Sequence, residues 1–358
     1  MIKDKSIFIK NIYYMLSYAF TSLNEGAFED IQKEDFDNIH NLFAAILSKG
    51  IGLQLKRGLY REYIGNIDDL PLVRGKINIQ GTYKNRMQKK ELVNCEYDEL
   101  SENNKLNQIL KTTCLLLIKE KSVESEYKSA LKKEMLFFDN VSEINPTTIR
   151  WSSIKFQRNN NTYRILISLC QLILEGMLLT TDYGEHRLAS FVDDQRMNRL
   201  YEKFILEYYI KEHPQLHASA SQIDWAVDDG IRTMLPNMQS DIMLTDKKGR
   251  VLIIDAKYYT HTTQQQYDVH TLHSNNMYQI FTYVKNKQEE STETPGSVSG
   301  MLLYALTDEE IQPDNSYMMS GNQISVTTLN LNESFEKIRE RLDSIADNIF
   351  GDGMSWGR

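Results

Sequence analysis

The feature that most constrains this chain is Val251-Leu252-Ile253-Ile254, an uncharged run that ends abruptly in Asp255-Ala256-Lys257. A run of β-branched residues and leucine with no polar alternation suits a strand buried on both faces. Such a strand needs partners in a sheet and helices over both faces, so the expected class is α/β (α+β), with a central mixed sheet flanked by helices. Residues two apart on a strand point to the same face. Asp255 and Lys257 therefore share one face and Ala256 takes the other.

Upstream, Asp241 opens the segment Ser240–Asp246, which also reads as a strand, and Asp246-Lys247-Lys248-Gly249-Arg250 makes the turn. With a five-residue loop, Val251 pairs with Thr245 and Asp241 falls opposite Asp255 on the same face. A four-residue loop would put Asp241 on the wrong face unless a bulge intervened. Two carboxylates directly opposite each other destabilise a strand pair. A divalent cation between them turns that cost into a binding site. Two carboxylates and the backbone carbonyl of Ala256 suit Mg²⁺, or Mn²⁺, which take oxygen ligands and keep several waters. A water made acidic by the metal attacks a phosphodiester, while Lys257 orients it and offsets charge on the transition state. The alternative is a solvated strand end, the usual place for an Asp and a Lys.

Flanking helices add supporting candidates. The segment 197–213 carries Met197, Leu200, Tyr201, Phe204, Ile205, Tyr208 and Tyr209 on one side, with Glu202 beside that stripe, and Pro214 ends it. Glu202 is placed to reach the metal as an outer ligand, or else is an exposed helix charge. Gln279 and Tyr283 lie four apart on a helix expected at 275–286, so they share a face, toward substrate or toward the sheet. His261, His270 and His273 fall nearby without the spacing of a zinc site.

The 358 residues allow two domains. The turn signal at Asp182–Gly184 suggests a boundary near 190, giving residues 1–190 and 191–358. In the first part, helices are expected at 11–24, 37–50, 102–121, 124–138 and 161–180. Between them, residues 51–99 read as a β-rich insertion of hairpins, with a basic cluster that includes Lys56, Arg57, Arg74, Lys76, Lys84 and Arg86. In the second part, strands are expected near 221–226 and at 240–246, 251–259, 300–306 and 323–331. A closing helix is expected at 333–349, and residues 288–297 read as a mobile loop. The net charge is −8, so any contact with nucleic acid rests on a local basic patch. Three widely spaced cysteines, with no CxxC, fit a reduced, cytoplasmic protein. No signal peptide or run of 18 apolar residues is present, so no membrane span is expected. No GxxxxGK[ST] occurs, so the chain is not itself expected to bind GTP or ATP as a P-loop enzyme.

Asp241, then Asp255-Ala256-Lys257, then Gln279-xxx-Tyr283 resembles the PD-(D/E)xK nuclease superfamily with a RecB-like QxxxY helix. The proline of that pattern is displaced: Ser240 precedes Asp241 and the nearest proline is Pro236. NIYYMLSYAF at 11–20, RGLYREY, RGKIN, LYEKFILEYY at 200–209 and LPNMQSDIML…LIIDAKYY followed by NMYQIFTYV look like the McrC family, over nearly the whole chain. That family supplies the nuclease subunit of the McrBC modified-cytosine restriction system. The resemblance implies a C-terminal PD-(D/E)xK restriction-endonuclease-like domain that cuts double-stranded DNA with Mg²⁺. It also implies a hexameric AAA+ GTPase partner, McrB-like, which binds the GTP and recognises modified cytosine. The N-terminal part would insert into the partner ring and stimulate its GTP hydrolysis, with the Lys56–Lys90 cluster on or beside the inserted element. Two other readings share some of these residues: a RecB-like repair or other defence nuclease, and a non-catalytic AAA+ activator.

Overall fold

The computed structural model describes residues 3–4, 7–19, 28, 31, 34, 36–156, 161–180, 186–189, 192–258, 263–266, 269–290, 297–306 and 312–351. Its contacts gather into two units: Met1–Leu42 with Ala189–Arg358, and Phe43–Leu188.

The chain starts with a short hairpin, β1 (Lys3–Asp4) and β2 (Ile7–Phe8), and runs into α1 (Ile9–Ala19). A single cut near 190 would assign α1 to the N-terminal part, but it belongs with the C-terminal unit. The reason lies in contacts with residues far along the chain. Ile12, Met15 and Leu16 are buried, and Asn11 Nδ2 donates to the carbonyls of Leu331 and Glu333, each at 2.8 Å. Tyr14 stacks on Phe335 with ring centroids 4.1 Å apart. An apolar helix face and a buried amide together commit α1 to that surface.

Helix α2 (Ile39–Leu55) leads into the second unit. Its insertion is a three-stranded antiparallel sheet, β3 (Glu62–Leu70), β4 (Lys76–Ile77) and β5 (Val93–Ser101), in the order β3-β5-β4. The hairpins expected over 51–99 are joined by a helix that the sequence reading missed, α3 (Ile79–Met87). Asn78 caps it by accepting from the Gly81 N–H at 3.1 Å. Asp69 then pins α3 to the sheet, accepting from both Asn85 Nδ2 and Asn94 Nδ2 at 2.6 Å. Helices α4 (Lys105–Lys119), α5 (Ser125–Met135) and α6 (Asn161–Gly176) follow. The helix expected to reach 180 stops at Gly176 and gives way to an antiparallel pair, β6 (Leu178–Thr180) and β7 (His186–Leu188). Ile109, Leu110, Cys114 and Leu117 of α4 and Tyr163, Leu166, Cys170 and Ile173 of α6 are buried.

The C-terminal unit continues with α7 (Asp194–Glu212), capped by Asp193, and the three-residue strand β8 (His217–Ser219). A short antiparallel pair follows, β9 (Gln222–Ile223) and β10 (Met238–Gln239), then β11 (Ile242–Thr245) and β12 (Val251–Lys257). After the hairpin β13 (Thr263–Gln266) and β14 (Val269–Leu272) comes α8 (Ser274–Glu290). The chain closes through β15 (Val298–Ala305), β16 (Asn315–Met319), β17 (Asn322–Leu329) and α9 (Phe335–Phe350). Residues 288–290 of the expected loop are the last turn of α8, residue 297 directly precedes β15, and 291–296 lie outside the described residues.

These strands build a six-stranded mixed sheet in the order β16-β17-β15-β12-β11-β8. The parallel trio β17, β15 and β12 forms its middle, and β11 runs antiparallel to both β12 and β8. On one face Met243, Val251, Ile253, Leu302, Tyr304, Ile324 and Val326 pack with Ile280, Tyr283 and Val284 of α8. Gly300 lets α8 settle this closely, since a Cβ there would lie 2.7 Å from Val284 Cγ2. The fully buried strand proposed from the Val251–Ile254 run is therefore β12, with β11 and β15 on its two sides.

Candidate active site

Strands β11 and β12 pair with Thr245 opposite Val251 and Ile242 opposite Ile254. The loop between them is Asp246–Arg250. Asp246 organises it, accepting from the Lys248 and Arg250 N–H groups at 2.9 and 2.8 Å and from Arg250 Nε at 2.7 Å. Gly249 takes a φ of 77°, where a side chain would be strained. Five loop residues keep the parity, so the register continues to place Asp241 across from Asp255.

Both carboxylates lie on the sheet face that α8 covers, the face of Val251 and Ile253. Asp241 Oδ2 accepts from the Ala256 N–H at 3.0 Å. Lys257 Nζ is 2.9 Å from Asp255 Oδ1 and 3.7 Å from Asp241 Oδ2, so one ammonium serves two carboxylates. Asp255 is 1% exposed, and its Oδ2 is buried with no hydrogen-bond partner. An unpaired buried carboxylate oxygen is costly. Burial raises the Asp255 carboxyl well above the ordinary carboxylate range, the Lys257 charge opposes this, and the Asp241 charge adds to it.

Glu202 of α7 belongs to the same electrostatic group. Its pKa is raised to about 7, chiefly by burial and then by Asp241, against the pull of Lys257, Asn198 and Arg199. The carboxylate accepts from Asn198 Nδ2, and Asn198 Oδ1 in turn accepts from the Tyr258 N–H at 2.7 Å. Asn198 was missed in the sequence reading. Its one signal there is its place four residues before Glu202, one turn away on the same helix face.

Gln279 and Tyr283 do share a face of α8, and Gln279 Nε2 donates to Tyr283 Oη at 3.0 Å. Tyr283 sits in the core beside Ile253 and Leu302, while Gln279 is half-buried. His261 lies outside the described residues. Among the described residues no three His, Cys, Asp or Glu side chains are gathered closely enough to hold a metal ion by themselves.

The basic candidates lie elsewhere. Lys56, Arg57, Arg74, Lys76, Lys84 and Arg86 are all exposed, in the second unit. Arg74 lies over the Tyr97 ring, 4.1 Å from its centroid, and pairs with Glu99 at 3.2 Å. The same insertion displays large apolar side chains that the sequence reading did not single out: Leu72 and Ile79 are each 79% exposed, and Ile67, Val73, Tyr83 and Met87 are also exposed. Apolar side chains exposed singly need no explanation, and these are notable for their number on one small element.

The family model described as "McrBC 5-methylcytosine restriction system component" matches residues 4–305. The chain belongs to this McrBC family. The resemblance drawn from the sequence motifs thus holds at the level of the family. A curated relative, the Type IV methyl-directed restriction enzyme EcoKMcrBC of Escherichia coli K12, is 26% identical over 343 residues, covering 95% of this chain and 97% of its own length. Among solved structures, a chain of the refined half-complex from the tetradecameric assembly of Thermococcus gammatolerans McrB AAA+ hexamers with bound McrC is similar, with a TM-score of 0.53. It is 18% identical, and the match covers 94% of this chain and 76% of that one. That likeness shows a shared fold. This McrBC component holds its two facing aspartates in the C-terminal unit and its exposed apolar and basic surface in the other.

Proposed function

We propose that this chain is the McrC-like nuclease subunit of its restriction system, hydrolysing phosphodiesters of DNA with modified cytosine at Asp241, Asp255 and Lys257. The carrying observation is the pair of carboxylates facing each other across β11 and β12, with Asp255 Oδ2 buried and unbonded. The donor set fits a hard divalent cation: Asp241, Asp255 and the Ala256 carbonyl would hold Mg²⁺ or Mn²⁺, with Glu202 as an outer ligand. Bound there, such an ion supplies an acidified water and neutralises phosphate charge. Lys257 lies between the carboxylates and orients the attacking water or offsets negative charge on the phosphate. Asp241 fixes the strand end by accepting from the Ala256 N–H. Gln279, on the helix covering this face, would contact substrate, with Tyr283 buttressing it. The mixed sheet and its flanking helices suit a PD-(D/E)xK domain, and the McrBC family match supports that reading.

The chain acts, on this reading, with a McrB-like hexameric AAA+ GTPase that binds the GTP and whose hydrolysis it stimulates. Support comes from the absence of a P-loop in this sequence and from the Thermococcus gammatolerans assembly of McrB AAA+ hexamers with bound McrC. The exposed apolar and basic insertion is the surface offered to that partner. No described helix is long and apolar enough to cross a membrane.

The test is cleavage of methylated and unmethylated plasmid by this chain with its AAA+ partner, GTP and Mg²⁺, comparing wild type with Asp255→Ala. Cutting confined to methylated DNA and lost in the variant is the expected result. Equal cutting by both proteins would sink the site assignment. Stimulated GTP hydrolysis with no cutting by the wild type would leave an activator in place of a nuclease.

A further inference from the structure

The side-chain amide of Asn198 makes two hydrogen bonds with opposite polarity. As a donor, Nδ2 holds the Glu202 carboxylate one helical turn along α7. As an acceptor, Oδ1 takes the N–H of Tyr258 at 2.7 Å. Tyr258 is the first residue beyond β12, directly after Lys257. The parallel ladder of β12 with β15 ends one residue earlier, at Lys257 opposite Tyr304. Without Asn198, the Tyr258 N–H, in a residue only 5% exposed, would lose this acceptor.

We infer that Asn198 is a positioning residue, whose amide locks the Glu202 carboxylate and the backbone after Lys257 into one fixed arrangement at the acidic cluster. This inference rests on the proposed metal-dependent nuclease site. Asparagine suits the task because it carries a donor and an acceptor on one planar group. Aspartate would keep the acceptor for Tyr258 and lose the donor for Glu202. Alanine would lose both. Glu202 interacts electrostatically with both Asp241 and Lys257, so the direction of its carboxylate bears on the same ion that the two aspartates would hold. A group that orients a ligand from behind in this way commonly contributes about 10–100-fold in metal affinity.

The experiment uses the full chain and Mn²⁺ as the probe, with affinity read by calorimetry in the absence of DNA. Variants are Asn198→Ala, Asn198→Asp, Glu202→Gln, the double variant Asn198→Asp/Glu202→Gln, and Asp255→Ala. Asn198→Asp keeps the tie to Tyr258, so it remains informative where Asn198→Ala does not fold. Expected is a roughly tenfold weaker Mn²⁺ affinity in Asn198→Asp, with no further loss in the double variant beyond Glu202→Gln alone. That non-additivity is what action through Glu202 requires. Wild-type affinity in Asn198→Asp, or losses that simply add, would overturn the inference. A separate outcome isolates the underlying reading: if Asp255→Ala binds Mn²⁺ as wild type does, the metal site itself is wrong.

Discussion

Asp255 is nearly inaccessible, bonded through one oxygen to Lys257 and through the other to nothing. An oxygen left in this way is costly, and the divalent cation of the proposed site would satisfy it. Replacing Asp241, Asp255 or Lys257 singly by alanine should lower DNA cleavage by roughly 100-fold or more, while partner GTPase stimulation persists, as assayed side by side. Wild-type cutting in all three would remove the site. Glu202 gives a prediction about pH. Its folded-state pKa of about 7 lies above the ordinary value of 4.5, so between those values the folded protein binds more protons than the unfolded chain. Stability therefore falls as pH rises from about 4.5 through 7 and levels off above. In metal-free protein, the melting temperature of Glu202→Gln relative to wild type should be more favourable at pH 8 than at pH 5. A difference independent of pH would contradict the burial argument.

At the scale of elements, the insertion β3-β4-α3-β5 combines a hydrogen-bonded interior with exposed apolar side chains. Asp69, Asn78, Asn85 and Asn94 lock α3 onto the sheet, while Leu72 and Ile79 face outward. Substituting either with aspartate should leave the fold intact, by circular dichroism, and reduce GTPase stimulation at least tenfold, on the scale of a buried apolar anchor. Unchanged stimulation would move the partner surface elsewhere. Packing of α8 supplies a second test. Gly300→Ala would push a methyl to 2.7 Å from Val284 Cγ2 and 2.9 Å from Ile280 Cγ1. The expected cost is roughly 1–3 kcal/mol by chemical denaturation, typical of overpacking. The β11–β12 hairpin was legible in sequence because period-two geometry and a countable loop fix which side chains meet. Helix α3 was not legible. In NIQGTYKNRM the apolar residues Ile79, Tyr83 and Met87 share one face but leave it exposed, and the helix is held by the local Asn78 cap and by the Asp69 clamp from β3.

At the scale of the molecule, two units divide the chain, and the first is discontinuous in sequence. Asn11 joins the chain's beginning to its end through the carbonyls of Leu331 and Glu333. Asn11→Ala strands those two carbonyls and should lower the stability of the C-terminal unit by about 1–3 kcal/mol, read as a lower midpoint in denaturant. What the sequence by itself determined is local and periodic. It set the doubly buried strand, the shared face of Asp255 and Lys257, and the parity that brings Asp241 opposite. These follow from chain geometry over fewer than twenty residues. The tertiary structure decided the rest: that α1 joins the C-terminal unit, that Asn198 ties Glu202 to the end of β12, and that the insertion's apolar side chains face outward. Each depends on a contact between residues distant in sequence or on which side chains the fold leaves exposed, and spacing along the chain fixes neither.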